Sequence, residues 1–163
     1  MDDELENLNI TLEQSGIKLG ISNAFSNPVE MRRHYIQAVF SADMDIPSNQ
    51  QVVRHYIDYA IYHSLALAKN DIDVTDLCHP ALLRLAQSTK QSDRDILDSL
   101  YMYLKADKSI ERAAKELHIH KNTLFYRIDK IKRLSGINIT DGEGMLKILF
   151  SFKVLAFIGL YSV

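Results

Sequence analysis

The chain has 163 residues, of which 47% are hydrophobic and 25% charged, and a net charge of −2. That length and mixture suit one or two globular domains with real cores, and they exclude a fibrous or wholly disordered chain. The single cysteine, Cys78, excludes an intrachain disulfide and fits a reducing compartment.

The acidic start, MDDELENLNI, lacks the basic flank and apolar core of a signal peptide. The one membrane-like stretch, Met145 to Tyr161, is interrupted by Lys147 and Lys153. Its clean apolar run falls well short of the roughly 20 residues a span requires, so it reads as a helix buried in protein. The expected setting is the cytoplasm, with no membrane partner. The small net charge hides an asymmetry. Residues 1–91 carry 7 Lys and Arg against 12 Asp and Glu, whereas residues 92–163 carry 12 against 9. Between His118 and Leu134 five cations (Lys121, Arg127, Lys130, Lys132, Arg133) accompany one acid, Asp129. Such a helix is either a solvated face or a phosphate-facing surface.

In chain order, residues 17–21 (IKLGI) predict a short strand. Asn27-Pro28-Val29-Glu30 opens a helix: Asn27 can cap, Pro28 suits the first turn and Glu30 can reach back to the cap. Tyr35, Ala38, Val39 and Ala42 give that helix an apolar stripe. Ser48–Gln51 reads as a loop, 52–56 as a strand and 59–69 as a helix. Residues 1–70 therefore look like part of an α+β domain with too few strands to close a sheet. Residues 71–91 read as a helical connector broken at His79-Pro80.

From Ser92 onward the pattern is helical. Ser92 and Asp95 resemble a capping pair ahead of Ile96, Leu97, Leu100, Tyr101 and Leu104. Ser109 caps a short second helix with Ile110, Ala113, Ala114 and Leu117 on one face. A third helix runs from about Lys121 to Leu134, with Leu124, Ile128 and Ile131 inward, and Gly136 ends it. Thr140-Asp141-Gly142-Glu143 has capping-box spacing and starts a fourth helix that is apolar nearly all round. Three small helices look insufficient to cover it, so it is either core or an oligomer interface.

The second and third helices, joined by about three residues, have the form of a helix-turn-helix. Ala114 is small where the backbones approach, and Leu117, Ile119 and Leu124 fill the angle between them. The third helix then exposes Asn122, Tyr126, Asp129, Lys130 and Arg133, with Thr123 at the margin. Its first turn, His120-Lys121-Asn122-Thr123, is the part that enters the major groove in this class of motif, and free N–H groups there favour phosphate. Asn pairs two-fold with adenine, Thr reaches phosphate or a thymine methyl, and Lys and Arg neutralise phosphates. His118 occupies the turn position often held by glycine, and histidine tolerates positive φ better than most residues.

Residues 92–160 resemble the C-terminal helix-turn-helix domain of the PucR/CdaR family of bacterial regulators. The resemblance rests on Leu97-Asp98-Ser99-Leu100-Tyr101-Met102-Tyr103-Leu104, on Ala113-Ala114 with Leu117, and on His120-Lys121-Asn122-Thr123-Leu124-Phe125-Tyr126-Arg127-Ile128. That last run is similar to the family signature His-Arg-Asn-Thr-Leu-x-Tyr-Arg-hydrophobic. Phe125 stands where many relatives have a basic residue. Residues 17–70 resemble the tail of the degenerate GGDEF-like domain that precedes the motif in this family, without any GG[DE]EF sequence that would imply cyclase chemistry. The resemblance implies a sequence-specific DNA-binding transcriptional regulator whose small-molecule effector is sensed by a region absent from this chain.

The expected fold is thus mainly α: a helix-turn-helix DNA-binding bundle (92–163) behind a partial α+β domain (1–70) and a helical connector (71–91). The expected DNA contacts are His120, Lys121, Asn122, Thr123, Tyr126, Arg127, Lys130 and Arg133, on double-stranded DNA, in a homodimer or higher oligomer. No catalytic residues, cofactor or metal are expected. His118 and His120 lack nearby Cys or acidic partners and, two apart, do not share a helix face. Cys78-His79 lacks an orienting third group. The alternative from another class is a protein-interaction or dimerisation module that uses the apolar C-terminal helix.

Overall fold

The computed structural model describes residues 11–46, 51–136, 139 and 141–162. Apart from two three-residue strands, the regular structure is helical. The chain divides into two compact units between Asn70 and Asp71.

In the first unit, β1 (Leu19–Ile21) pairs in parallel with β2 (Val53–His55), with Leu19 opposite Val53 and Ile21 opposite His55. Parallel strands need a crossover rather than a hairpin. Here a single turn of 3₁₀ helix, Pro28–Glu30, leads into α1 (Met31–Asp43), and α2 (Tyr56–Ala68) follows β2 directly. Asn27 caps as expected, its side chain accepting the Val29 N–H. Glu30 does not complete a capping box; its carboxylate pairs with Arg33 at 3.0 Å. The expected loop at Ser48–Gln51 lies, except for Gln51, outside the described residues.

Of the expected stripe on α1, Ala38 and Ala42 lie against Gly20 of β1, but Tyr35 and Val39 do not turn inward. Tyr35 is 68% exposed and Val39 is exposed too, whereas the buried positions are His34 and Ser41. The reason is the closeness of helix and strand. A Cβ on Gly20 would lie 1.8 Å from the Ala38 carbonyl oxygen, so only small residues fit on the strand-facing side of α1. Ser41 fits because its hydroxyl donates to the Gln37 carbonyl at 2.8 Å within the helix. His34 stacks on Phe25, ring centres 4.2 Å apart. Tyr59, Tyr62 and Leu65 of α2 form the apolar core beside Ile46. Arg54 is buried among backbone carbonyls, donating to Ala42 at 3.0 Å, Met44 at 2.7 Å and Gln51 at 2.9 Å, and it pairs with Asp45 at 3.1 Å. A buried cation is tolerable only when its donors are satisfied in this way.

The second unit begins with a 3₁₀ turn, Val74–Leu77, capped by Asp73, and continues through α3 (Pro80–Gln87), α4 (Gln91–Lys105), α5 (Ile110–Glu116), α6 (Lys121–Ser135) and α7 (Gly142–Phe157). His79-Pro80 starts a helix rather than breaking one: His79 Nδ1 accepts the Ala81 N–H at 3.2 Å and Pro80 takes the first helical position. Ala81, Leu82, Leu85 and Ala86 of α3 are buried, and the helix packs against α4, α6 and α7. The start of α4 differs from expectation. The helix begins at Gln91 after Lys90, with no side-chain cap, so Ser92 and Asp95 both lie inside it.

The fourth expected helix, α7, is capped by Asp141, which accepts the Gly144 N–H at 2.6 Å; Thr140 lies outside the described residues. Its apolar surface is largely covered. Ile148, Phe152, Val154, Leu155 and Ala156 are buried, and α3, α4 and the Val74–Leu77 turn all pack on it. Leu146 remains 65% exposed. Ser151 fastens α7 to the start of α3 by accepting the His79 N–H at 2.9 Å. Past its end, Tyr161 packs on Phe152 and Tyr101 and donates to Asp98 at 2.8 Å. Burial and that carboxylate push the Tyr161 hydroxyl well above the usual phenol range. Cys78 is also buried, and loss of solvation pushes its thiol up to about 11. No described helix is long and apolar enough to cross a membrane.

Replacing Gly20 with Ala should destabilise the first unit by about 1–3 kcal/mol or more, since the obstructing atom is backbone. Gly142→Ala meets open space and should change stability by less than about 1 kcal/mol. Urea denaturation followed by circular dichroism compares the two. Equal midpoints for both variants would mean that α1 does not press on β1.

Candidate nucleic-acid interface

The helix-turn-helix is built from α5, α6 and the turn between them. Ser109 opens α5, its hydroxyl accepting the Arg112 N–H at 3.3 Å. Ala113 and Ala114 are fully buried, which lets α6 cross closely, and α5 packs on both α4 and α6. The turn closes by backbone hydrogen bonds from Ile119 to the Ala114 carbonyl at 3.0 Å and from His118 to Lys115 at 3.1 Å. His118 has φ +53°, the left-handed conformation expected at this position. Gly136, at φ +66°, terminates α6 as expected.

His120 caps α6, its Nδ1 accepting the Asn122 N–H at 3.2 Å. The backbone N–H groups of Thr123 and Leu124 also turn inward, to the His120 carbonyl. The first turn of α6 is therefore less rich in free donors than the sequence implied, and its affinity for anions falls on side chains. Leu124, Ile128 and Ile131 are buried, as the periodicity requires. Asn122, Thr123 and Tyr126 are exposed, Tyr126 at 61%, with His120 and Lys121 beside them. Lys130, half-buried, and Arg133, exposed, continue along the helix.

Two expected phosphate contacts are engaged within the chain. Lys121 forms an ion pair with Glu111 across the α5–α6 angle, and its hydrogen bond holds the Glu111 carboxyl below the usual carboxylate range. Arg133 pairs with Asp129 one turn back, at 2.8 Å. Both pairs are exposed, so they are worth little and exchange readily.

Arg127 departs from the expected set. Its guanidinium points into the bundle, donating to Asp95 Oδ2 at 2.6 Å and to Ser99 Oγ at 3.2 Å. Ser99 Oγ in turn donates to the Asp95 carbonyl at 2.6 Å. The ion-paired side chains are only 22% and 31% exposed. Arg127 thus links α6 to α4 on the same side as Leu124 and Ile128 and does not share the outward face. Phe125 departs in the opposite direction. It is 65% exposed, though it is absent from the face that the sequence predicts to be outward. The available signal was its spacing, four residues after Lys121 and three after Asn122. Among the described residues no cluster of three or more potential metal ligands exists.

A double-mutant cycle on Asp95→Ala and Arg127→Ala should give a coupling of about 1–3 kcal/mol in unfolding free energy, the range for a charge-assisted, partly shielded pair. Arg127→Lys should recover only part of it, because a single ammonium cannot reach both acceptors. Additive single losses would show that α4 and α6 are not coupled through this pair.

Comparison with known proteins converges on the same segment. Residues 96–154 match the PucR C-terminal helix-turn-helix domain. The chain is 28% identical over 128 residues to the proline-responsive transcriptional activator PutR of Bacillus subtilis (strain 168), covering 77% of this chain and 31% of PutR. It is 23% identical over 142 residues to the purine catabolism regulatory protein of the same organism, covering 85% and 26%. It is 30% identical over 155 residues to the uncharacterized protein YxkF, also from that strain, covering 91% and 49%. The chain therefore spans between about a quarter and a half of the length of these relatives. No solved structure matches with comparable significance. Residues 96–154, with their buried α5–α6 angle and outward α6 face, form a helix-turn-helix domain of the PucR C-terminal type.

Proposed function

We propose that this chain is the DNA-binding output region of a bacterial transcriptional regulator, and that α6 enters the major groove with its first two turns. The observation that carries the reading is the exposed run His120, Lys121, Asn122, Thr123 and Tyr126, set on a helix whose other side is locked into the bundle. In this arrangement Asn122 reads a base edge and Thr123 contacts a phosphate or a thymine methyl. Lys121, Lys130 and Arg133 neutralise phosphates after exchanging their intramolecular partners where they have them. His120 acts chiefly as a cap. Arg127 acts through the rotation of α6 and not by touching DNA.

A single module reads too few base pairs to stand out among genomic competitors, so the working form is a homodimer or higher oligomer. Its recognition helices would be about 34 Å apart, on successive major grooves of one DNA face. The names of the relatives, a proline-responsive activator and a purine catabolism regulator, suggest control by a small metabolite. That metabolite would be sensed away from the helix-turn-helix, and the setting is the cytoplasm. The interaction-module reading gains little support, because most of the apolar surface of α7 is already covered.

Binding to a duplex recovered from a random-sequence pool tests the proposal. Affinity should fall steeply with salt, and Lys121→Ala with Lys130→Ala should weaken binding to every sequence and flatten the salt slope by about two. Asn122→Ala should cost about 1–3 kcal/mol, concentrated at one base pair. Glu111→Gln should tighten binding to all sequences a few-fold, roughly the worth of one exposed ion pair, by releasing Lys121 and removing a carboxylate near the backbone. A folded Lys121→Ala, Asn122→Ala double variant with unchanged affinity would remove α6 from the interface. Recovered sites without a repeated half-site would count against the dimer.

A further inference from the structure

Phe125 is a large apolar side chain, 65% exposed, in the second turn of α6, and the DNA-binding role proposed for that helix leaves it without a task. Its neighbours in sequence, Leu124 and Ile128, are closed into the bundle, so the core does not require it. A lone exposed apolar residue says nothing by itself; its company does. Lys121 lies one turn before it, Asn122 three residues before it, and Tyr126, also largely exposed, follows it. An apolar ring among a cation and a carboxamide is poorly suited to a greasy protein surface. It is well suited to the floor of the major groove, where every base edge carries hydrogen-bonding groups and only one apolar group occurs, the C5-methyl of thymine.

Resting on the DNA-binding reading, we infer that Phe125 is a specificity-determining residue that packs its ring on a thymine C5-methyl, at a base pair neighbouring the one read by Asn122. A phenyl ring has no donor to offer a phosphate or a base, so its contribution is apolar contact alone. At that position it discriminates thymine from cytosine, which lacks the methyl group and presents an amino donor in the groove. A residue in this role changes sequence preference and affinity but leaves the dependence on salt untouched, because no counterion is released on its account.

The test uses the full chain and the duplex recovered from a random pool. Each thymine in turn is replaced by uracil, which removes only the methyl group, and binding is titrated for the parent and for Phe125→Ala. At one thymine per half-site, uracil should weaken the parent about four-fold, the worth of one methyl-sized contact. Phe125→Ala should bind both duplexes equally, several-fold more weakly than the parent binds the thymine form, with an unchanged salt slope. Phe125→Leu should retain part of the thymine preference. Phe125 is exposed, so folding is expected to survive, and the uracil scan of the parent gives a result that needs no variant. A parent indifferent to uracil at every position overturns the inference. So does a Phe125→Ala variant that keeps the parent's sensitivity. If Lys121→Ala and Lys130→Ala still weaken binding in those cases, the DNA-binding reading stands and only the role of Phe125 falls. If those variants also bind like the parent, both fall together.

Discussion

The position of α6 depends on a link that is not apolar. Leu124, Ile128 and Ile131 set which side of the helix is buried, but apolar contacts alone tolerate small rotations and slides. The Arg127 guanidinium, held by Asp95 and Ser99, ties one side of α6 to α4 through directional hydrogen bonds. A hydrogen bond between charged partners weakens steeply with misalignment, so the link selects one rotation of α6 among several that would bury similar area. The outward face, with Asn122 and Tyr126 on it, is a consequence of that choice.

The same helix separates two kinds of cation. Arg127 is partly shielded and has several acceptors, so moving it would strand a carboxylate in a half-buried place. Lys121 and Arg133 are held by exposed carboxylates whose attraction is screened by solvent. Trading those carboxylates for phosphates costs little. The helix can therefore be rigid in orientation and still adaptable in its electrostatic contacts, which matches a division of labour between positioning and reading.

Much of this was legible in the sequence because it is local. The 3.6-residue period located Leu124, Ile128 and Ile131, Ser109 announced α5, and Gly136 and His118 marked the places where the backbone turns left-handed. What was not legible was long-range. Arg127 looked like one cation among five because its partner Asp95 lies 32 residues earlier, and nothing in local spacing pairs them. The same blindness misplaced part of the stripe on α1. Tyr35 and Val39 look like core residues, but Gly20 brings β1 against the backbone of Ala38 and Ala42, and the two larger side chains are exposed. It also made α7 look underclothed. Residues 71–91 read as a connector, and the packing of their 3₁₀ turn and α3 on α7 became visible only in three dimensions. The phenylalanine at 125 was noticed as a departure from the family pattern, but its place on the exposed side of α6 became visible only in three dimensions.

Cys78 has a practical consequence for work on this chain. It is the only thiol, it is buried against α7, and its ionisation is displaced to about 11. Near neutral pH it is shielded both by access and by protonation from reagents that attack thiolates. A cysteine introduced on the exposed side of α6, as in Thr123→Cys, would then be the one reactive sulfur in the folded chain. A fluorophore or spin label attached there would report on α6 alone, with no need to remove the native thiol and disturb the packing around α3 and α7.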